Sequence, residues 1–261
     1  MKFLITGDCH AEFSRFDRLD TDSNAAIIVL GDFGANYYLD ERDRISKRKL
    51  ASYPFTFYCV RGNHEARPSD IEGMNHIWDP KVEGCVWMED EFSNIRYFDD
   101  WGVYWINGLR TLVIGGAYSV DKHYRLAVGA KWFENEQLTV REMHECERMV
   151  RLRPGFDLVL SHTCPLSFQP ADLFLRGLDQ STVDNSMETW MEHLARGMSW
   201  GAWLFGHYHA DRVEWPRVEQ FYMEIESIED IFARWHRYNK TKELDWWLPL
   251  SPRMKRLMEG E

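Results

Sequence analysis

Five short apolar runs, each stopping at a polar motif, set the pattern of the chain. KFLIT runs into Gly7-Asp8, AAIIVL into Gly31-Asp32, TFYCV into the stretch holding Gly62-Asn63, DLVL into Ser161-His162 and WLF into Gly206-His207. Runs that are continuously apolar, not alternating, predict strands buried on both faces, as in a sheet covered by helices. Each predicted strand delivers polar residues at its C-terminal end, where open α/β sheets bind ligands. The expected class is therefore α/β, with five strand ends converging on one site.

Between these runs the spacing changes to that of helices. One is predicted over Glu134 to Leu152 and another over Asp184 to Met198. In the second, Met187, Trp190, Met191 and Leu194 fall at i, i+3, i+4 and i+7 behind Asp184 as an N-cap, so this face belongs in the core. The stretches GVYWING and RTLVIGGAYSV predict two more strands joined at Asn107-Gly108, a strong hairpin signal, and hence a second sheet. From Ser227 an N-cap with Asp230 three residues on precedes Ile228, Ile231, Phe232 and Trp235 at helical spacing. The expected organisation is one domain over residues 1–226, with residues 227–261 a helical, Trp-rich extension packed on it. Trp246 and Trp247 would fold back onto the body, and the ELDWWLPL segment serves as core cover or dimer contact.

The 261 residues are 44% hydrophobic and 28% charged, proportions of a folded globular protein. A net charge of -11 disfavours extended nucleic-acid binding, which needs a basic surface. It leaves phosphorylated substrates open, because divalent cations in a carboxylate site reverse the local sign. The twelve tryptophans are then packing residues and not a base-stacking platform. Five cysteines, Cys9, Cys59, Cys85, Cys146 and Cys164, form no CxxC pair and argue against a disulfide framework or thiolate zinc site. With no signal-peptide core in MKFLITGDCH and no membrane-length apolar run, the expected location is the cytoplasm, with no membrane association.

The chemistry sits at the strand ends. In GDCH, Asp8 and His10 are two apart and share a side of an extended strand end; His207 and His209 in GHYH do the same. With Asp32, Asn63 and His162 the set comprises two carboxylates, one carboxamide and four imidazoles. Such a mixed oxygen and nitrogen set suits manganese first, and iron or zinc, better than calcium.

The ordered series Asp-x-His, Gly-Asp, Gly-Asn-His-Glu, His and Gly-His-x-His, spanning Asp8 to His209, resembles the calcineurin-like metallophosphoesterase family. The resemblance implies two mixed β-sheets sandwiched together and flanked by helices in four layers, with two divalent metal ions at the strand ends. Carried over, it implies that Asp8, His10, Asp32 and His209 hold one metal. Asp32 bridges to a second, which Asn63, His162 and His207 complete. It also implies a metal-activated water as nucleophile, and His64 above the substrate phosphate as proton donor or hydrogen-bond partner. The expected activity is hydrolysis of phosphoric esters, with a phosphorylated small molecule, nucleotide or phosphoprotein as substrate.

The serine/threonine-phosphatase branch extends its second block with an aspartate that supports the histidine and an arginine that binds phosphate. Here those positions are Ala35 and Asn36, which weakens a phosphoprotein assignment. Arg67, Lys122, His123 and Arg125 are the candidates to replace the missing phosphate contact. Glu65 either orients His64 or is solvated. His76, His144, His193 and His236 lie outside the motifs and are expected to be structural or exposed. The competing class is a catalytically silent metal-binding scaffold of the same fold.

Overall fold

Strands β1 (Lys2–Thr6), β2 (Ala25–Val29) and β3 (Thr56–Cys59) run parallel, and β6 (Ile95–Phe98) continues them beside β3. Strands β4 (Met74–Asp79) and β5 (Gly84–Glu89) add an antiparallel edge, and β13 (Glu226–Ser227) pairs antiparallel with β1 at the other. The second sheet takes the order β11-β12-β10-β9-β8-β7, built from β7 (Trp101–Ile106), β8 (Leu109–Ile114), β9 (Gly155–Ser161), β10 (Ser199–Phe205), β11 (Arg212–Trp215) and β12 (Val218–Gln220). Its centre is parallel and both of its edge pairs are antiparallel. Both sheets are therefore mixed. The computed structural model describes residues 1–20, 24–174, 176–177, 179–215, 217–242, 254 and 256.

Three apolar clusters make the layers. Ala26, Ile28 and Leu30 of the first sheet meet Leu158, Leu160, Ala202 and Leu204 of the second in the central core. The alternate residues Ile27 and Val29 point outward with Phe57 against Leu50 of α1 (Glu41–Ala51). On the far side Leu112, Ile114, Val159, Trp203 and Phe205 pack against α3 (Val140–Leu152) and α4 (Ser186–Gly197). Burial of each large apolar side chain contributes roughly 1.5–3 kcal/mol, so the two-sided strands carry much of the stability. The result is the expected four-layer α/β sandwich.

Local signals act as the physics requires, with some shifts. Asn107 and Gly108 adopt φ of 53° and 72°, and β7 and β8 pair antiparallel on either side of them. The α3 helix begins at Val140, not Glu134, because Thr139 and Glu142 form a reciprocal capping box that fixes the start. The N-cap of α4 is Asn185, while the Asp184 carboxylate accepts from the Ser186 N–H at 2.9 Å. Its Met187, Trp190, Met191 and Leu194 are all buried. In α5 (Ile228–Lys242), Ser227 Oγ accepts from the Asp230 N–H at 3.0 Å, and Ile228, Ile231, Phe232 and Trp235 join the central core. Trp246, Trp247 and the ELDWWLPL segment lie outside the described residues.

The stretch after β8, read from sequence as a strand end, instead turns at Gly115-Gly116 and becomes α2 (Lys122–Val128), a helix with no buried residue. All five cysteines carry free thiols, four of them buried. No helix among the described residues is long and apolar enough to cross a membrane.

Candidate metal centre

The C-terminal ends of β1, β2 and β3 in one sheet and of β9 and β10 in the other meet at one end of the sandwich. Asp8 and Asp32 are buried there, with Asn63 and His162. Close backbone approach is built in by glycine: a Cβ on Gly62 would lie 2.0 Å from Asp32 Oδ1, and one on Gly31, at φ 98°, would lie 1.9 Å from His162 Nδ1. Four polar residues of the cluster, His10, Asp32, His207 and His209, themselves sit at positive φ, between 47° and 70°. Backbone strain of this kind concentrates at sites whose side chains must converge.

The two carboxylates divide the cluster. Asp32 Oδ1 accepts the His64 N–H at 2.8 Å and lies 3.7 Å from His162 Nε2, whereas Oδ2 lies 3.9 Å from His10 Nε2. Asp8 Oδ1 accepts the His207 N–H at 3.0 Å. Its Oδ2 stands 3.1 Å from His209 Nε2 without the alignment of a hydrogen bond, and is a buried oxygen with no hydrogen-bond partner. His10 Nε2 and His209 Nε2 are 3.0 Å apart. The His207 ring lies edge-on to that of His162, their centroids 4.9 Å apart.

Buried donors fix the other ligand atoms. His162 Nδ1–H donates to the Leu30 carbonyl at 2.8 Å, which leaves a lone pair on Nε2. That lone pair faces Asn63 Oδ1 at 2.8 Å. The amide cannot turn to donate there, because its Nδ2 donates to Ser119 Oγ at 2.8 Å, and Ser119 in turn spends its hydroxyl proton on Glu136 at 2.5 Å. Ser119 and Glu136 were not legible as functional, since neither stands in a motif.

Electrostatics follow the same line. Burial would raise the Asp8 carboxyl, but the approach of His209 and the charge of His162 outweigh it and hold it below the ordinary range. Burial and the nearby Asp8 charge push Asp32 well up. Burial depresses His10 and His162, and it takes His207 down to about 3 with help from His162. The contact with Asp8 instead raises His209, and the depressed imidazoles of His10, His162 and His207, crowded round carboxylates that repel each other, are the donor set a divalent cation completes. Three groupings, Asp8 with His10 and His209, His10 with Asp32 and His64, and Asp8 with Asp32 and His162, each bring ligand atoms within 4.8 Å of one another. The residues present fit metal.

The cluster floors a cavity of about 620 Å³. His64 and Arg125 stand on one side, with the Arg125 Nη2 against His64 Nδ1. Burial, followed by the Arg125 charge, depresses His64 to about 2, so its ring is neutral. The lining also includes residues not legible from sequence: Gln169, Phe174, Asn185, Glu188 and Tyr208.

Of the four cations and histidines considered for phosphate, only Arg125 lines the cavity. Arg67 is turned away into ion pairs with Asp100, at 2.9 Å, and Glu142. Lys122 lies over the Trp132 ring at 4.0 Å, and His123 is exposed. Glu65 neither orients His64 nor meets solvent. It is fully buried and accepts from the Gly34 and Gly62 N–H groups at 3.1 and 3.2 Å, tying two site loops together. Outside the cluster, His144 and His193 are exposed, and His76 stacks on Trp87 with centroids 4.4 Å apart.

The chain aligns over 96% of its length with phosphopantetheinyl hydrolase (PptH) from Mycobacterium tuberculosis, covering 95% of that chain at 15% identity and a TM-score of 0.43. It also aligns with a 5'-nucleotidase precursor from Thermus thermophilus over 83% of this chain and 43% of that one, at 15% identity and a TM-score of 0.38. No curated protein matches. The profile for calcineurin-like phosphoesterases matches residues 1–211, which hold all five strand-end motifs and the whole cluster. The chain belongs to the calcineurin-like phosphoesterase family.

Proposed function

We propose that the chain hydrolyses phosphoric esters through a dinuclear metal centre, with Asp8, His10, Asp32 and His209 around one ion and Asp32, Asn63, His162 and His207 around the other. The observation that carries this reading is the division of Asp32, with Oδ1 toward His162 and Oδ2 toward His10. Manganese is the first choice for this oxygen and nitrogen set, ahead of iron or zinc. When bound, such a pair supplies Lewis acidity toward phosphoryl oxygens and acidifies water.

His64 acts on the reacting group. Arg125 Nη2 lies nearest Nδ1 and 3.3 Å from Nε2; because a guanidinium only donates, we take the nearer Nδ1 as the acceptor, which leaves the ring proton on Nε2, 3.9 Å from Asp32 Oδ2. His64 is therefore a neutral Nε2–H donor to the ester. Arg125 takes the supporting place that the serine/threonine branch gives to an aspartate, while Ala35 and Asn36 lie buried and bring no cation to the site. This favours a phosphorylated small molecule or nucleotide over a phosphoprotein. We assign residues 1–226 to the phosphoesterase domain and residues 227–261 to an extension on it, and five free thiols fit a reducing cytoplasm.

The test is hydrolysis of p-nitrophenyl phosphate against bis-p-nitrophenyl phosphate by the manganese-loaded protein. Turnover of the monoester marks a phosphatase, and turnover of the diester a phosphodiesterase. Two bound metals with neither substrate cleaved would make the chain a silent scaffold.

A further inference from the structure

The cavity lining contains one carboxylate with an oxygen left unpaired. Glu188, on α4, is 3% exposed, lines the cavity, and its Oε2 has no hydrogen-bond partner. Its other oxygen is fixed. Gln169 Nε2 donates to Tyr208 Oη at 3.2 Å, Tyr208 shares a hydrogen bond with Thr163 Oγ1 at 3.0 Å, and Thr163 donates to Glu188 Oε1 at 2.9 Å. This relay ends on the carboxylate and fixes Oε1, so that Oε2 is the oxygen of this cavity-lining side chain left for a further donor. A buried acceptor left unpaired is costly, and a ligand that donates to it recovers the cost.

The surroundings narrow the donor. Phe174 and Tyr208 stack at 6.3 Å to form an apolar flank. Asp184 adds a second carboxylate to the same lining. Among the described residues that line the cavity, Arg125 is the single lysine or arginine, and it is already committed to His64, Asp121, Tyr37 and the Lys131 carbonyl. An anionic leaving group would meet carboxylates with no free cation.

We infer that Glu188 selects the leaving group, and that the preferred substrate is the phosphoric ester of an alcohol with an apolar body and a nitrogen–hydrogen donor, neutral or cationic. The inference rests on reading the cavity as the ester site. Burial pushes the Glu188 carboxyl up to about 7, as an acid awaiting a partner should behave.

The experiment compares 4-(aminomethyl)phenyl phosphate with 4-carboxyphenyl phosphate in the wild type and in Glu188→Gln, above about pH 7, where the carboxyl is ionised. Intrinsic leaving-group reactivity is the same for both proteins and cancels in the ratio of their kcat/KM ratios. In the variant the amide oxygen keeps the Thr163 bond and turns an N–H to the cavity. The wild-type preference for the amine should therefore fall about tenfold, the worth of one charge-assisted hydrogen bond. Glu188→Asp, which withdraws the oxygen but keeps the charge, should fall in between. A wild type without the preference, or a preference unchanged in Glu188→Gln, overturns the inference. Calorimetric binding of 4-(aminomethyl)phenol to both proteins decides it without turnover: tighter binding to the wild type sustains it and equal binding overturns it. Absence of turnover on either ester counts only against the hydrolase reading.

Discussion

Asn63 Oδ1 and His162 Nε2 stand 2.8 Å apart with a lone pair on each and no proton between them, because each side chain has spent its hydrogen elsewhere. Two buried acceptors held face to face repel, and a cation between or beside them converts that cost into binding. Stripping divalent metal should therefore lower the melting temperature, and manganese at about a hundredfold excess over Kd should return about 2.7 kcal/mol. Asn63→Ala should lose one metal per chain by elemental analysis and retain the other. Loss of both, or of neither, would contradict the division at Asp32.

Ser119 accepts from the Asn63 amide and is itself held by Glu136, and neither is among the candidate ligands. Ser119→Ala frees the amide to turn its NH2 inward, and metal affinity should drop roughly 10- to 100-fold, as for other residues that hold a ligand in place. Titration calorimetry with manganese reads this directly. An unchanged isotherm would mean that the amide is held by something else.

His64→Ala should keep both metals while turnover falls about 10²- to 10⁴-fold. Arg125→Ala releases the ring and lets its tautomers exchange, so kcat should fall with metal content intact. The ring nitrogens, followed by NMR, should show the Nε2–H form alone in the wild type and a mixture in the variant.

Gly62→Ala is a small change with a large expected effect. Its methyl would overlap Asp32 Oδ1. The variant should fold, with metal binding lost or greatly weakened. Normal metal content would show that the loop shifts at little cost.

Away from the site, burial pushes the Glu219 carboxyl up to about 7 in spite of Arg234 at 2.9 Å. The folded protein keeps a proton that the unfolded chain releases above its ordinary 4.5. That contribution is complete below pH 4.5, is lost as pH rises toward 7, and amounts to about 3 kcal/mol. Between pH 5 and 7 the wild-type melting temperature should fall more steeply than that of Glu219→Gln. Parallel curves would refute the assignment.

The strand ends were readable because doubly buried strands leave an unbroken apolar run and the polar residues that end it stand out. The α4 and α5 faces were readable for the same reason, period 3.6 with large side chains. The first helix was not: in ERDRISKRKLA the buried positions are Asp43, Lys47 and Leu50, and Lys47 is buried through an ion pair with Glu89. Edge strands such as β4, mostly exposed, carry little pattern. Ser119 with Glu136, which hold Asn63 from behind, and Glu188 in the cavity lining reach the site by tertiary folding from scattered positions, so no local spacing marks them, whereas Arg125 was among the candidates the sequence offered. Arg67 was misleading for the converse reason: sequence proximity to His64 says nothing of direction, and its guanidinium points to Asp100.

The bond from His162 Nδ1–H to the Leu30 carbonyl joins a side chain of one sheet to the backbone of the other. It latches the sandwich at the end that carries the carboxylate and histidine cluster. In the proposed assignment, the first sheet undocked from the second lacks His209 for one ion and both His162 and His207 for the other, so metal uptake should report closure of the sandwich, and a bound ion should in turn resist its opening.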